Sequence, residues 1–158
     1  METKSIEKLN QLHPLIRQKA LNAYAEAVAS TPAGVHPLVT QTLRTFAESD
    51  ALYAQGRTAP GAKVTNAPGG SSYHNYGLAL DFVNLVNGVE SWKVDSNWMK
   101  VVSVFKKHGF VWGGDFHSIL DQPHFEMTFG HNWKALLANY KAGNTFVDND
   151  IKYVTIEI

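Results

Sequence analysis

Two stretches of this chain gather side chains capable of chemistry. The first is Ser71-Ser72-Tyr73-His74-Asn75-Tyr76-Gly77-Leu78-Ala79-Leu80-Asp81-Phe82, and the second is Asp121-Gln122-Pro123-His124-Phe125-Glu126-Met127. Each puts a histidine where a polar loop runs into an apolar, strand-like segment. Asp81 is the odd residue, because it stands between Leu80 and Phe82 in a segment that should be at least half buried. An ionised carboxylate there needs a partner, since burying it alone is costly. A metal is one such partner and an arginine another; a carboxylate facing solvent or accepting backbone hydrogen bonds is the plainer alternative. Taken singly, His74 and His124 say little. Together with Asp81 they form a set of two imidazoles and one carboxylate suited to Zn²⁺. A hydrolytic zinc site keeps three protein ligands and leaves one position for water. A separate carboxylate must then move the proton from that water to the leaving amine. Asp121, three residues before His124, stands at the mouth of the same strand.

Composition narrows the field further. The 158 residues include seven His and no Cys, so any metal must be held by imidazole and carboxylate. Fourteen basic and fourteen acidic residues leave no excess charge to neutralise phosphates, which argues against a nucleic-acid partner. No apolar run approaches the roughly 18 residues of a membrane span. Residues 1–10 are polar and lack the apolar core of a signal peptide, so the expected chain is made in the cytoplasm without one. No G-x-S-x-G elbow, P-loop or G-x-G-x-x-G occurs.

The elements that must position these residues are legible in outline. Ile16, Ala20, Ala23, Tyr24 and Ala27 have the spacing of one buried helical face, within a helix expected over 8–30. Residues 35–43 suit a short strand. Thr45-Phe46-Ala47-Glu48 has the form of a capping box ahead of a helix over 46–55. Glycine and proline mark 56–72 as loop, and a loop that long is more often functional than accidental. Leu78 to Val86 is the strongest strand signal, with Asn87-Gly88 as its hairpin turn. Asp95 or Ser96 caps a helix with an apolar face of Trp98, Val101, Val102 and Phe105, which Gly109 ends. Short strands at 110–112 and 124–129 flank a polar loop, and 132–141 is a last helix. His13 and His36, each before proline, suit turns; His108 and His117 suit exposed surface. Helices mixed with hairpins indicate an α+β fold: one small domain over 1–143, with a tail over 144–158 that supplies an extra strand.

The spaced combination Ser72-x-His74-x-x-Gly77-x-Ala79-x-Asp81 and Asp121-x-x-His124-Phe125-Glu126 resembles the D-alanyl-D-alanine metallopeptidase and L-alanyl-D-glutamate endopeptidase family. That family includes bacterial cell-wall carboxypeptidases, vancomycin-resistance peptidases and phage endolysins. The likeness extends through Gln55-Gly56-Arg57-Thr58, Val64-Thr65-Asn66 and Trp112-Gly113-Gly114-Asp115, and covers roughly Leu12 to Tyr140. It implies a small antiparallel sheet, flanked by helices, whose edge carries zinc held by His74, Asp81 and His124. It implies Asp121 as general base, where many relatives have the longer Glu, and Arg57 as the pocket arginine for a substrate carboxylate or the oxyanion. Gln55, Ser72 and Tyr73 are the implied substrate contacts. Asp115 either orients a ligating histidine or is a turn residue after Gly113-Gly114, and Glu126 suits a supporting or a surface role rather than catalysis. The implied partner is a peptidoglycan stem peptide, met after release or non-classical export, with the chain expected to be a monomer. The 55–58 and 112–115 stretches favour the L-Ala–D-Glu bond. The alternatives are a D-Ala–D-Ala carboxypeptidase and a non-catalytic zinc-containing wall-binding module.

Overall fold

A computed structural model describes residues 2–158; Met1, the first residue of the expected domain, lies outside them. Two helices, α1 (Thr3–Leu9) and α2 (Pro14–Ser30), replace the single one expected over 8–30. Pro14 lacks an N–H and keeps the residue before it out of helical dihedrals. His13 accordingly sits at ψ 135° and caps α2, its Nδ1 accepting from the Leu15 N–H at 3.2 Å. It is a buried cap and not an open turn residue. His36 likewise falls inside a strand, β1 (Val35–Gln41). The expected capping box of Thr45 and Glu48 opens α3 (Phe46–Ala54). β2 (Ala79–Val86) turns through Asn87 and Gly88, both at positive φ, into β3 (Val89–Ser91). Asp95 caps α4 (Ser96–Lys107), and β4 (Val111–Trp112), β5 (His124–Glu126) and α5 (Trp133–Lys141) follow.

The sheet order is β1-β2-β5-β4, with β3 paired to the far half of β2, and every pair is antiparallel. Strand alternation then sorts side chains between two faces. Phe82 and Phe125 face the core and meet α4: the Phe82 ring lies 4.3 Å from Trp98, and Phe105 lies 4.5 Å from Phe125. The stripe read from periodicity on α2 is fully buried and packs on α4. Each such large side chain taken from water contributes about 1.5–3 kcal/mol. Asp81, His124 and Glu126, out of phase with these core residues, go to the opposite face.

The tail does not add a strand to this sheet. It folds into a hairpin of its own, β6 (Thr145–Asp148) and β7 (Ile151–Val154), turning at Asn149 and Asp150 with φ of 51° and 62°. The hairpin docks near the start of α2. Arg17 pairs with Asp148 at 3.0 Å, and the Tyr153 hydroxyl donates to the Gln11 carbonyl at 2.7 Å. Among the described residues, no helix is long and apolar enough to cross a membrane.

Candidate metal centre

Three elements deliver the three candidate ligands. His74 rides on a 3₁₀ turn, Tyr73–Tyr76, that Ser72 caps by accepting the His74 N–H. The Asn75 side chain accepts from the Gly70 and Ser72 N–H groups and donates to the Ser49 hydroxyl, so it locks the turn to α3. The chain leaves through Gly77 at φ +67°, where a Cβ would stand 2.7 Å from the His13 nitrogen. A side chain is excluded there on both counts. Asp81 of β2 and His124 of β5 are direct cross-strand partners, which puts both side chains on one face.

The donor atoms converge. His124 Nδ1 lies 3.1 Å from Asp81 Oδ1, His74 Nε2 lies 3.3 Å from the same oxygen, and the three fall within 4.8 Å of one another. A tetrahedral metal with bonds near 2.0–2.1 Å sets its ligand atoms about 3.3 Å apart, so two edges of the triangle already have that length. The other nitrogen of each ring meets a group that accepts. His74 Nδ1–H donates to the Thr42 carbonyl at 2.8 Å, and His124 Nε2–H donates to Glu126 Oε1 at 2.8 Å. These partners assign tautomers that turn the His74 Nε2 and His124 Nδ1 lone pairs toward Asp81. The residues therefore fit a divalent metal in donor type, spacing and orientation.

The charges are consistent with a cation-binding cluster. Burial opposes ionisation of Asp81, yet without a metal the His124 and His74 nitrogens that face it, once protonated, donate to its carboxylate and hold its carboxyl well below the usual carboxylate range. Burial also opposes charge on His124, but its bonds to Asp81 and Glu126 carry it up to about 9. A metal-free cluster thus holds a proton where a metal would sit. Asp121 Oδ2 stands 3.6 Å from His124 Nδ1 and is half exposed. Burial pushes its carboxyl up; His124 pulls it down, and Asp81 and Glu126 add to the rise. Gly113 makes this placement possible: its carbonyl accepts the Asp121 N–H at 2.9 Å, and a Cβ on it would run into the Asp121 carbonyl. A cavity of about 620 Å³ opens beside the cluster, with Arg44, Ser72, Tyr73, Phe116 and Asp121 in its wall.

The chain is 42% identical over 127 residues to the peptidoglycan L-alanyl-D-glutamate endopeptidase CwlK of Bacillus subtilis, an alignment covering 75% of this chain and 74% of that protein. The chain belongs to the D-alanyl-D-alanine carboxypeptidase and L-alanyl-D-glutamate endopeptidase family. A family model described as D-alanyl-D-alanine carboxypeptidase matches residues 65–127, the span from the loop before His74 to the end of β5. An L-alanyl-D-glutamate peptidase of a Listeria phage is 32% identical over 98 residues, covering 61% of this chain and 32% of the phage protein. The crystal structure of the Serratia marcescens L-Ala D-Glu endopeptidase ChiX shares the fold, with a TM-score of 0.59 at 22% identity over 82% of this chain and 90% of that one. The protein is thus a peptidase of a metallopeptidase family, and it carries a His-Asp-His cluster.

Several residues expected at the peptidase site stand elsewhere. Arg57 is not in the cavity wall. Its guanidinium donates to the Tyr53 carbonyl at 2.7 Å, the Thr65 carbonyl at 3.1 Å and Asn66 Oδ1 at 3.2 Å, and it lies 3.9 Å over the Tyr53 ring. It staples the 56–72 loop to the end of α3. The guanidinium in the wall belongs to Arg44, which sequence reasoning passed over. Arg44 N–H donates to the His74 carbonyl at 3.0 Å, and its Nε is buried with no hydrogen-bond partner. Its signal was its place, between the end of β1 and the Thr45 cap. Gln55 donates to the Ala62 carbonyl and lines a smaller adjoining cavity that shares Arg44. Asp115 pairs with Lys106 at 2.6 Å on the exposed surface and orients neither histidine; Thr42 and Glu126 do that. Ser72 and Tyr73 line the cavity. His108 is partly buried against Glu26, whereas His117 is exposed.

Proposed function

We propose that this chain is a zinc-dependent peptidoglycan endopeptidase that cuts the L-Ala–D-Glu bond of stem peptides. The observation that carries the reading is the convergence of His74, Asp81 and His124 with both imidazole lone pairs turned to a common point. The L-alanyl-D-glutamate endopeptidase of Bacillus subtilis that this chain resembles supports the choice of bond.

A zinc ion held by these three side chains would supply a Lewis acid for the scissile carbonyl and lower the pKa of a water. Asp121 is the proton carrier: it accepts from the attacking water and returns the proton to the departing amine. Burial raises its carboxyl, the direction that favours a group that both takes and gives a proton. Arg44 offers a guanidinium fork to the free α-carboxylate that D-Glu carries beside the scissile amide. Glu126 and the Thr42 carbonyl keep the two imidazoles in their ligating tautomers.

Digestion of purified sacculi tests the reading, with metal analysis of the same preparation. New D-Glu amino termini without free D-Ala are the expected products. Free D-Ala without D-Glu amines would move the activity to the carboxypeptidase alternative. Asp121→Ala should lower the rate by at least about 10²-fold, the usual worth of a general base, while near-stoichiometric zinc is retained. Binding to sacculi with no bond cut by the wild type would leave a wall-binding module instead.

A further inference from the structure

A second cavity, about 550 Å³, opens between the end of α5 and the C-terminal hairpin. Its walls are His131, Asn139, Asn144, Thr145, Thr155 and Glu157, together with Gly143. That volume is within the range of small-ligand sites, about 300–1,000 Å³. The lining differs from the usual one, since it consists of amides, hydroxyls, an imidazole and a carboxylate with no large apolar side chain. Asn144 Nδ2–H donates to Asn139 Oδ1 at 3.2 Å, and His131 Nε2–H donates to the Glu157 carbonyl at 2.8 Å. These bonds fix the two amides and the imidazole. The Asn139 amide hydrogens, the Asn144 oxygen, both threonine hydroxyls and the Glu157 carboxylate remain available to a ligand. The hairpin wall is held in advance by Arg17–Asp148 and by Tyr153 on Gln11, which limits the ordering cost of binding.

One side chain links this cavity to the candidate metal centre. Tyr73 lines the catalytic cavity, and its hydroxyl donates to the His131 carbonyl at 3.2 Å. The substrate chemistry offers a ligand for a neighbour of this kind. In a stem peptide, the nitrogen of the L-Ala whose carbonyl is attacked is itself acylated by the lactyl group of N-acetylmuramic acid. The sugar therefore begins within two chain units of the scissile carbon, about 7 Å at full extension. With its lactyl carboxyl in amide linkage it is uncharged, and it presents hydroxyl and acetamido groups. The chain has zero net charge, so it has no long-range field to draw it to an anionic wall. Contacts with a neutral saccharide do not need one.

We infer that the cavity between α5 and the C-terminal hairpin is a glycan subsite, which takes the amino sugars attached to the stem peptide. Asn139 and Asn144 meet the acetamido group, and Thr145, Thr155 and Glu157 meet the hydroxyls. The inference rests on the endopeptidase reading. It makes the enzyme selective for peptides still attached to glycan over free peptides.

The test compares two substrates on the metal-loaded protein: a disaccharide-tetrapeptide, and the same tetrapeptide N-acetylated at L-Ala. The expected result is a KM about tenfold lower for the disaccharide substrate, a factor that a few hydrogen bonds supply, with similar kcat. Asn139→Ala and Thr155→Val should each raise the KM for the disaccharide substrate toward that of the acetyl peptide. Turnover of the acetyl peptide should be unchanged, which also serves as the folding control. Equal KM values in the wild type, or variants that slow both substrates alike, would overturn the subsite while leaving the endopeptidase standing. Cleavage of neither substrate would overturn both.

Discussion

Arg44 and Arg57 lie 13 positions apart in the chain and do different work. Arg57 spends its donors on Tyr53, Thr65 and Asn66, and so orders the loop that carries Val64, Thr65 and Ser72 to the cavity wall. Arg44 keeps a buried Nε unpaired beside that cavity. Lysine retains the charge but loses the planar fork. Arg57→Lys should therefore raise KM several-fold, keep most of kcat and cost about 1 kcal/mol of stability, the scale of a lost net hydrogen bond. Arg44→Lys should lose mainly kcat. Steady-state kinetics with a thermal melt on both variants decides between the roles: a folded Arg57→Lys protein with its kcat collapsed would return Arg57 to substrate contact. At this scale the sequence was legible where function demands unusual residues at fixed spacing. Asp81 in an apolar strand and a histidine at each loop-to-strand junction stood out before any fold was known. Arg44 did not stand out, because one arginine before a helix cap looks like any other. Only its backbone bonds to Asn75 and His74 place it beside the candidate metal centre. Asp115 stayed open between two roles for the complementary reason: a carboxylate near the site in sequence ends a turn at Gly113–Asp115 and points at Lys106 in space.

Among the elements, the C-terminal hairpin was the hardest to see. Its turn is Asn149-Asp150, which lacks the glycine that makes Asn87-Gly88 obvious, although both residues take up positive φ. The Thr45–Glu48 capping box and the apolar stripes of α2 and α4 are local and were read correctly, whereas the capping box of Ser72 and Asn75 was not. The pairing of β1 with β2 spans the whole 56–72 loop and is fixed by tertiary packing, so no local pattern announces it. His13 joins the hairpin to the rest, and here a titration is available. Its Nδ1 caps α2 and its Nε2–H donates to the Val154 carbonyl at 2.8 Å, with Arg17 and the Phe146 and Tyr153 rings around it. Burial holds this imidazole below its ordinary 6.5; the Val154 carbonyl works the other way, and Arg17 adds to the lowering. Because the folded value is the lower one, the unfolded chain takes up the proton first. The stabilisation is complete above pH 6.5 and is lost as pH falls from there through the folded value. Chemical denaturation of the metal-free protein between pH 6.5 and 5, below the range over which His124 changes its contribution, should show this loss. His13→Asn keeps a capping acceptor that does not titrate, so it should flatten that slope even if it lowers stability at pH 8. An unchanged slope in the variant would assign the acid sensitivity to other groups.

For the whole molecule, the candidate ligands make folding and metal binding one equilibrium. His74, Asp81 and His124 come from a 3₁₀ turn and two strands, and 50 residues separate the first from the last. An unfolded chain cannot hold them within 4.8 Å of one another, so a metal binds the native state almost exclusively. A ligand at a hundred times its dissociation constant then adds about 2.7 kcal/mol. For a chain of this length each kcal/mol moves the midpoint by about 2–4 °C, so zinc should raise Tm by roughly 5–11 °C over the chelated protein. Asp81→Ala removes the oxygen that both imidazoles approach and should abolish that rise, even if its metal-free Tm is close to that of the wild type. Glu126→Gln keeps an acceptor for His124 Nε2–H but gives up its charge, and should retain a smaller rise, since such outer partners are worth about 10–100-fold in metal affinity. Scanning calorimetry with zinc and with chelator reads all three proteins. A wild-type midpoint indifferent to both additives would mean that the three side chains, however well aligned, do not hold a metal.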